Sequence, residues 1–169
     1  MIVWPFRVAW AATWRVTLAL SGLLAVTVVP VGLLFGALGG RAAAGPVLAF
    51  AVLLPGSVLV HEWAHAACAW RWAACRTRRE VVPVGGWRRA GVRRPRLPVR
   101  FDVATTVAGP LAGAASGLLL FAAVPGAGSS ALLCGALCLP FAAHLLSLAP
   151  SAADGRALLA ALAPEGSTP

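Results

Sequence analysis

His61-Glu62-Trp63-Ala64-His65 follows a stretch, residues 42–60, that contains no charged side chain, so two imidazoles and a carboxylate sit where an apolar run has no structural use for them. On a helix, positions i and i+4 share a face at about 5 to 6 Å between Cβ atoms, so His61 and His65 can grip one metal ion together. Glu62, one position on, is left free to act as general base toward a water that the metal activates. The pattern specifies zinc and metal-assisted hydrolysis, with His61 and His65 as ligands and Glu62 as the catalytic residue. A solvated helix face carrying these residues by chance fits the flanks poorly. An ionisable group inside a membrane span costs about 2.5 to 3.5 kcal/mol on insertion scales and persists where function uses it.

Hydrophobic residues make up 60% of the 169 positions and charged ones 11%, with a mean hydropathy of +0.84, which excludes an ordinary soluble domain. The expectation is an all-α integral membrane protein. A net charge of +9 could suggest a nucleic-acid binder, but the arginines lie in loops between apolar runs. Anionic lipid headgroups are therefore the expected partner and nucleic acid is not. Lysine is absent and alanine abundant, a composition in keeping with a GC-rich bacterial genome and hence a bacterial plasma membrane. The four cysteines match no strong metal or disulfide motif and read as small apolar residues. Cys68, three positions after His65, is the one that could approach a metal.

Taken in order, residues 1–15 mix Trp4, Phe6, Trp10 and Trp14 with Arg7 and Arg15, as an interfacial segment does. About four transmembrane helices follow within a single domain, residues 16–160, with spans near 16–40, 46–72, 102–124 and 131–150 and a tail at 161–169. The Ala42-Ala43-Ala44 triplet also has the form of a signal-peptidase site. Gly109-Pro110 and Pro140 should bend or locally unwind their helices, and Pro125-Gly126-Ala127-Gly128-Ser129-Ser130 supplies the break between the last two spans. Between the second and third spans lies a short basic loop with nine arginines from Arg76 to Arg100, which marks the cytoplasmic side. That orientation puts the N- and C-termini of this multi-pass chain in the cytoplasm as well.

A catalytic zinc usually has three protein ligands. Asp154, at the cytoplasmic end of the fourth span, lies at the membrane depth of His61 and His65. His144 precedes Asp154 by ten residues, about 15 Å on a continuous helix, so the two could hardly share an ion, and His144 reads as a packed, hydrogen-bonded histidine.

The His61-to-His65 motif, Ala108-Gly109-Pro110-Leu111-Ala112, and Ser147-Leu148-Ala149-Pro150 ahead of Asp154-Gly155 together resemble the site-2 protease family of intramembrane zinc metalloproteases over roughly residues 46–160. The resemblance implies a zinc metalloendopeptidase that hydrolyses peptide bonds in or next to a transmembrane segment of a membrane protein substrate. It assigns His61, His65 and Asp154 to the metal and Glu62 to the base, and it makes Gly85, Gly86, Gly109, Pro110, Ser147 and Pro150 candidates for substrate binding. Val81-Val82-Pro83-Val84-Gly85-Gly86-Trp87 is similar to the family's extended hairpin. Two positions depart from the pattern: Ser147 and Gly113 stand where the family usually has asparagine. These departures leave room for a second reading, a proteolytically inactive zinc-binding homologue that acts as a binding or regulatory protein. A small transporter is a third, although no internal repeat is evident.

The arginine asymmetry makes a direct prediction: reporters fused after residue 15, within the basic loop and at the C-terminus should all read cytoplasmic, and one near Gly126 external. An external reading of the basic loop would overturn the four-span topology.

Overall fold

The computed structural model describes residues 3–86, 90–120 and 128–163. Helix α1 (Val3–Ala37) and helix α2 (Arg41–Trp72) form a hairpin that frames the molecule. Gly39 closes the turn between them at φ 83°, a left-handed conformation that suits a residue without a Cβ, and the Gly40 N–H donates to the Phe35 carbonyl at 2.7 Å. By length and composition, α1 and the Ala43–Trp72 part of α2 can each cross a membrane. Their outward apolar side chains fit that reading: Leu18, Leu23, Val26, Leu33, Leu34 and Val52 are all exposed.

No break separates an interfacial segment at residues 1–15 from a first span. The 35 residues of α1 form one helix, about 52 Å long, which exceeds the roughly 30 Å hydrocarbon core. Rings cluster at one end of the hairpin, where Trp4 meets Trp70 (centroids 5.6 Å apart), Arg78 lies over Trp70, and Trp72 stacks on Phe101 at 5.2 Å. Such a belt suits a membrane–water boundary.

A 3₁₀ turn (Arg78–Glu80) leads into strands β1 (Val82–Gly85) and β2 (Ala90–Arg93), paired antiparallel with Val82 opposite Arg93 and Gly85 opposite Ala90. The hairpin rests on α1, where Val8 packs with Ala66, Ala69, Val81 and Val92. Trp87 lies outside the described residues.

Helix α3 (Val99–Ala115) continues into a 3₁₀ turn (Ser116–Leu118), and helix α4 (Gly128–Leu146) packs across it. The expected unwinding at Gly109-Pro110 does not occur. The helix runs through Pro110, although proline offers no N–H to the Thr106 carbonyl. Pro140 likewise sits within α4. Part of the expected break at residues 125–130 lies outside the described residues, and 128–130 are already helical. The main core joins Leu24, Phe50, Ala51, Leu120 and Phe141, with Phe50 edge-on to Phe141 at 6.0 Å.

The expected span at 131–150 is cut short, and this correction matters most for the site. Helix α4 ends at Leu146, residues 147–152 form turns, and a separate helix α5 (Ala153–Leu162) begins after them. The Gly155 N–H reaches back to the Ser147 carbonyl at 2.9 Å, which folds the turn tightly onto the start of α5. A Cβ at position 155 would overlap the Ala149 carbonyl, and one at Gly85 would overlap that of Ala12 in α1. Gly155→Ala and Gly85→Ala should therefore each destabilise the protein by about 1 to 3 kcal/mol, as overpacking does. Thermal unfolding followed by circular dichroism in detergent would check this, and wild-type midpoints for both would contradict the packing described.

Candidate metal centre

Helix α2 presents His61, Glu62 and His65 on its inner side, all buried, about 10 to 16 Å along the helix before Trp72. The turn after α4 brings Asp154 to the same point from the opposite side. His61 Nε2 lies 3.4 Å from Asp154 Oδ2, His65 Nε2 lies 3.4 Å from Asp154 Oδ1, and the two Nε2 atoms are 3.1 Å apart. These three residues form a group that can hold a metal ion, and the only one of its kind among the described residues. Cys68 is not part of it.

The donor set can be tested against a metal by counting protons. His65 Nδ1–H donates to the Thr105 carbonyl at 2.7 Å, which leaves its Nε2 a lone pair. Two imidazole nitrogens and a carboxylate then converge with no proton obliged to lie between them, an arrangement that a cation relieves. Zinc bonds of about 2.0 to 2.1 Å in a tetrahedron place neighbouring ligand atoms about 3.3 to 3.4 Å apart. The observed separations of 3.1 to 3.4 Å match that spacing.

Glu62 Oε1 lies 3.8 Å from His61 Nε2, while its Oε2 is buried and has no hydrogen-bond partner among the described residues. A buried carboxylate oxygen left alone is costly, and a water or a substrate proton beside the metal position would satisfy it.

Around these groups lies a cleft of about 350 Å³ lined also by Ala90, Gly91, Val92, Arg94, Ser147, Ala153 and Ala157. Ser147 is thus at the site. Gly109 lies behind it, because a Cβ there would overlap the His65 ring. Pro110 is buried within α3 beside Gly109, whereas Gly85 is set against α1, and none of Gly85, Gly86, Pro110 and Pro150 lines the cleft. Pro150 is exposed on the turn.

Arg94 and His144 were not legible as site residues. Arg94, one of nine loop arginines, donates from Nη2 to Thr106 Oγ1 at 2.6 Å and pairs with Asp102, tying the end of β2 to α3 at the cleft wall. His144 is hydrogen-bonded, as expected, but the distance argument for it fails. The helix ends at Leu146 and the chain turns, so both His144 and Asp154 face His61, with the His144 and His61 Nδ1 atoms 3.1 Å apart.

No protein-family model, curated protein or solved structure matches the chain.

Removing one of the three candidate donors should show in metal content. Asp154→Ala is expected to lose or strongly weaken binding of a divalent cation, measured by elemental analysis after dialysis, and Gly109→Ala to weaken it by displacing His65. Wild-type stoichiometry in Asp154→Ala would assign the third ligand elsewhere.

Proposed function

We propose that the protein is an integral-membrane zinc metalloendopeptidase of the site-2 protease kind, hydrolysing a peptide bond in or next to a transmembrane segment of another membrane protein. The observation that carries this reading is the meeting of His61, His65 and Asp154 with an unpartnered Glu62 oxygen in one cleft. In this reading α3 and α4 supply the third and fourth crossings. The hairpin and both termini face the cytoplasm of a bacterial cell, and the basic loop lies against anionic lipid headgroups.

His61, His65 and Asp154 would hold the zinc, which when bound would supply Lewis acidity toward the scissile carbonyl and the attacking water. Glu62 takes the proton from that water at its Oε2 and later delivers it to the leaving amine. Thr105 holds His65 in the tautomer that the site needs. Strand β2 brings Ala90, Gly91 and Val92 to the cleft, and among the described residues it pairs with β1 alone. An unwound substrate segment can therefore add to its other edge and lie across Glu62. Arg94, one residue past the end of that strand, is anchored to Asp102 and Thr106 of α3.

Glu62→Gln tests the assignment because it removes the proton acceptor and keeps the size. Wild type and variant would be incubated in vesicles with a panel of single-span membrane peptides and the products read by mass spectrometry. Zinc content should hold while cleavage falls by about 10² to 10⁴, the usual loss for a missing general acid-base. Equal cleavage by both proteins would remove Glu62 from the mechanism. Zinc retention without cleavage by either would favour the inactive homologue, a reading that Ser147 and Gly113 support as departures from the family's asparagines.

A further inference from the structure

We propose that His144 is a positioning residue of the metal centre: its Nδ1 accepts the Nδ1–H of His61 and so turns the His61 Nε2 lone pair toward His65 and Asp154. The inference rests on the metal reading of the site and is independent of proteolysis.

The hydrogen-bond chain begins at Ser57, a fully buried residue of α2 one turn before His61. Its hydroxyl donates to the Leu54 carbonyl at 2.7 Å, and its oxygen lies 2.8 Å from His144 Nε2. A hydroxyl has one proton. With that proton directed at Leu54, the Ser57 oxygen is an acceptor and His144 carries its hydrogen on Nε2. His144 Nδ1 is then a lone pair, 3.1 Å from His61 Nδ1, and the proton between them belongs to His61. Reversing the chain would put a hydrogen on His61 Nε2, aimed at the position where a cation must bind. The Ser57–Leu54 bond selects the tautomer compatible with a metal.

Metal-ligating histidines commonly donate their second N–H to a carboxylate, a carbonyl or a water. His65 follows this habit through Thr105. His61 instead finds a neutral imidazole, which adds no charge to an apolar bundle where a further carboxylate would be expensive. The neighbouring helix is shaped for the ring: a Cβ at Gly113 would come 2.6 Å from His144 Cγ. The glycine that departs from the family pattern is thus the residue that makes space for His144.

The test uses the full-length protein in detergent, with Zn²⁺ and Co²⁺ as probes in chelator-competition titrations. His144→Asn keeps an acceptor oxygen near the Nδ1 position and should bind within about threefold of wild type, whereas His144→Phe keeps a ring without an acceptor and should lose about 10- to 100-fold, the usual effect of removing such a partner. Gly113→Ala should weaken binding in the wild-type background and add nothing to His144→Ala, a non-additivity that general damage to the fold would not produce. The chain has only three histidines, so nitrogen NMR of ¹⁵N-histidine-labelled apo protein can read the tautomers directly, with His61 expected to be protonated at Nδ1 and His144 at Nε2. Wild-type affinity in His144→Phe, equal losses in the Asn and Phe variants, or His61 protonated at Nε2 would each overturn the role. A wild type that binds neither ion would overturn the metal centre itself and this role with it.

Discussion

Three glycines on one ridge of α3 and its extension let rings from α2 and α4 approach its backbone, and the centre of the molecule is assembled there. Gly109, Gly113 and Gly117 recur every fourth residue through α3 and its 3₁₀ extension, so they lie along one ridge. A Cβ at each would collide with a different ring: His65 at the first, His144 at the second and Phe141 at the third. The close approach does more than fill space. It brings the Thr105 carbonyl within reach of His65, sets His144 beside His61, and lets Phe141 enter the core with Phe50 and Leu120. Polar order at one end of the ridge and apolar packing at the other follow from the same missing side chains.

The second constraint is the interruption between α4 and α5. A continuous helix would carry Asp154 about 15 Å away from His144, whereas the turns at residues 147–152 reverse the chain enough for both to face α2. Gly155 sustains this reversal, since its N–H closes on Ser147 and its lack of a Cβ admits the Ala149 carbonyl. The group formed by His61, His65 and Asp154 therefore depends on backbone packing at a position with no chemistry of its own. Arg94 has a similar indirect part, because its bonds to Asp102 and Thr106 keep β2 at the cleft. In the activity we propose, the metal and its base would come from α2 and α5 and the substrate edge from β2, with α3 holding all three in register.

Sequence alone determined the helical, membrane-compatible character of the chain and singled out His61, Glu62, His65 and Asp154, which meet at its centre. Hydropathy is a property of the run itself, and the one-turn spacing of His61 and His65 holds in any helix that contains them. A two-stranded hairpin stands where the Gly85-Gly86 stretch suggested one. The boundaries were less legible: the interfacial segment and first span are one helix, and the helix of the expected fourth span stops at Leu146. Capping and turn preferences there differ by amounts that tertiary packing overrides. Only the tertiary structure decided that His144 lies beside His61, that Arg94 reaches Asp102 and Thr106 of α3, and that Gly113 is space for an imidazole. Each of these is a contact between elements separated by a turn or a loop. Residue spacing fixes distance along a helix and says nothing of where a second helix will lie, so the partners of a side chain emerge only when the elements pack.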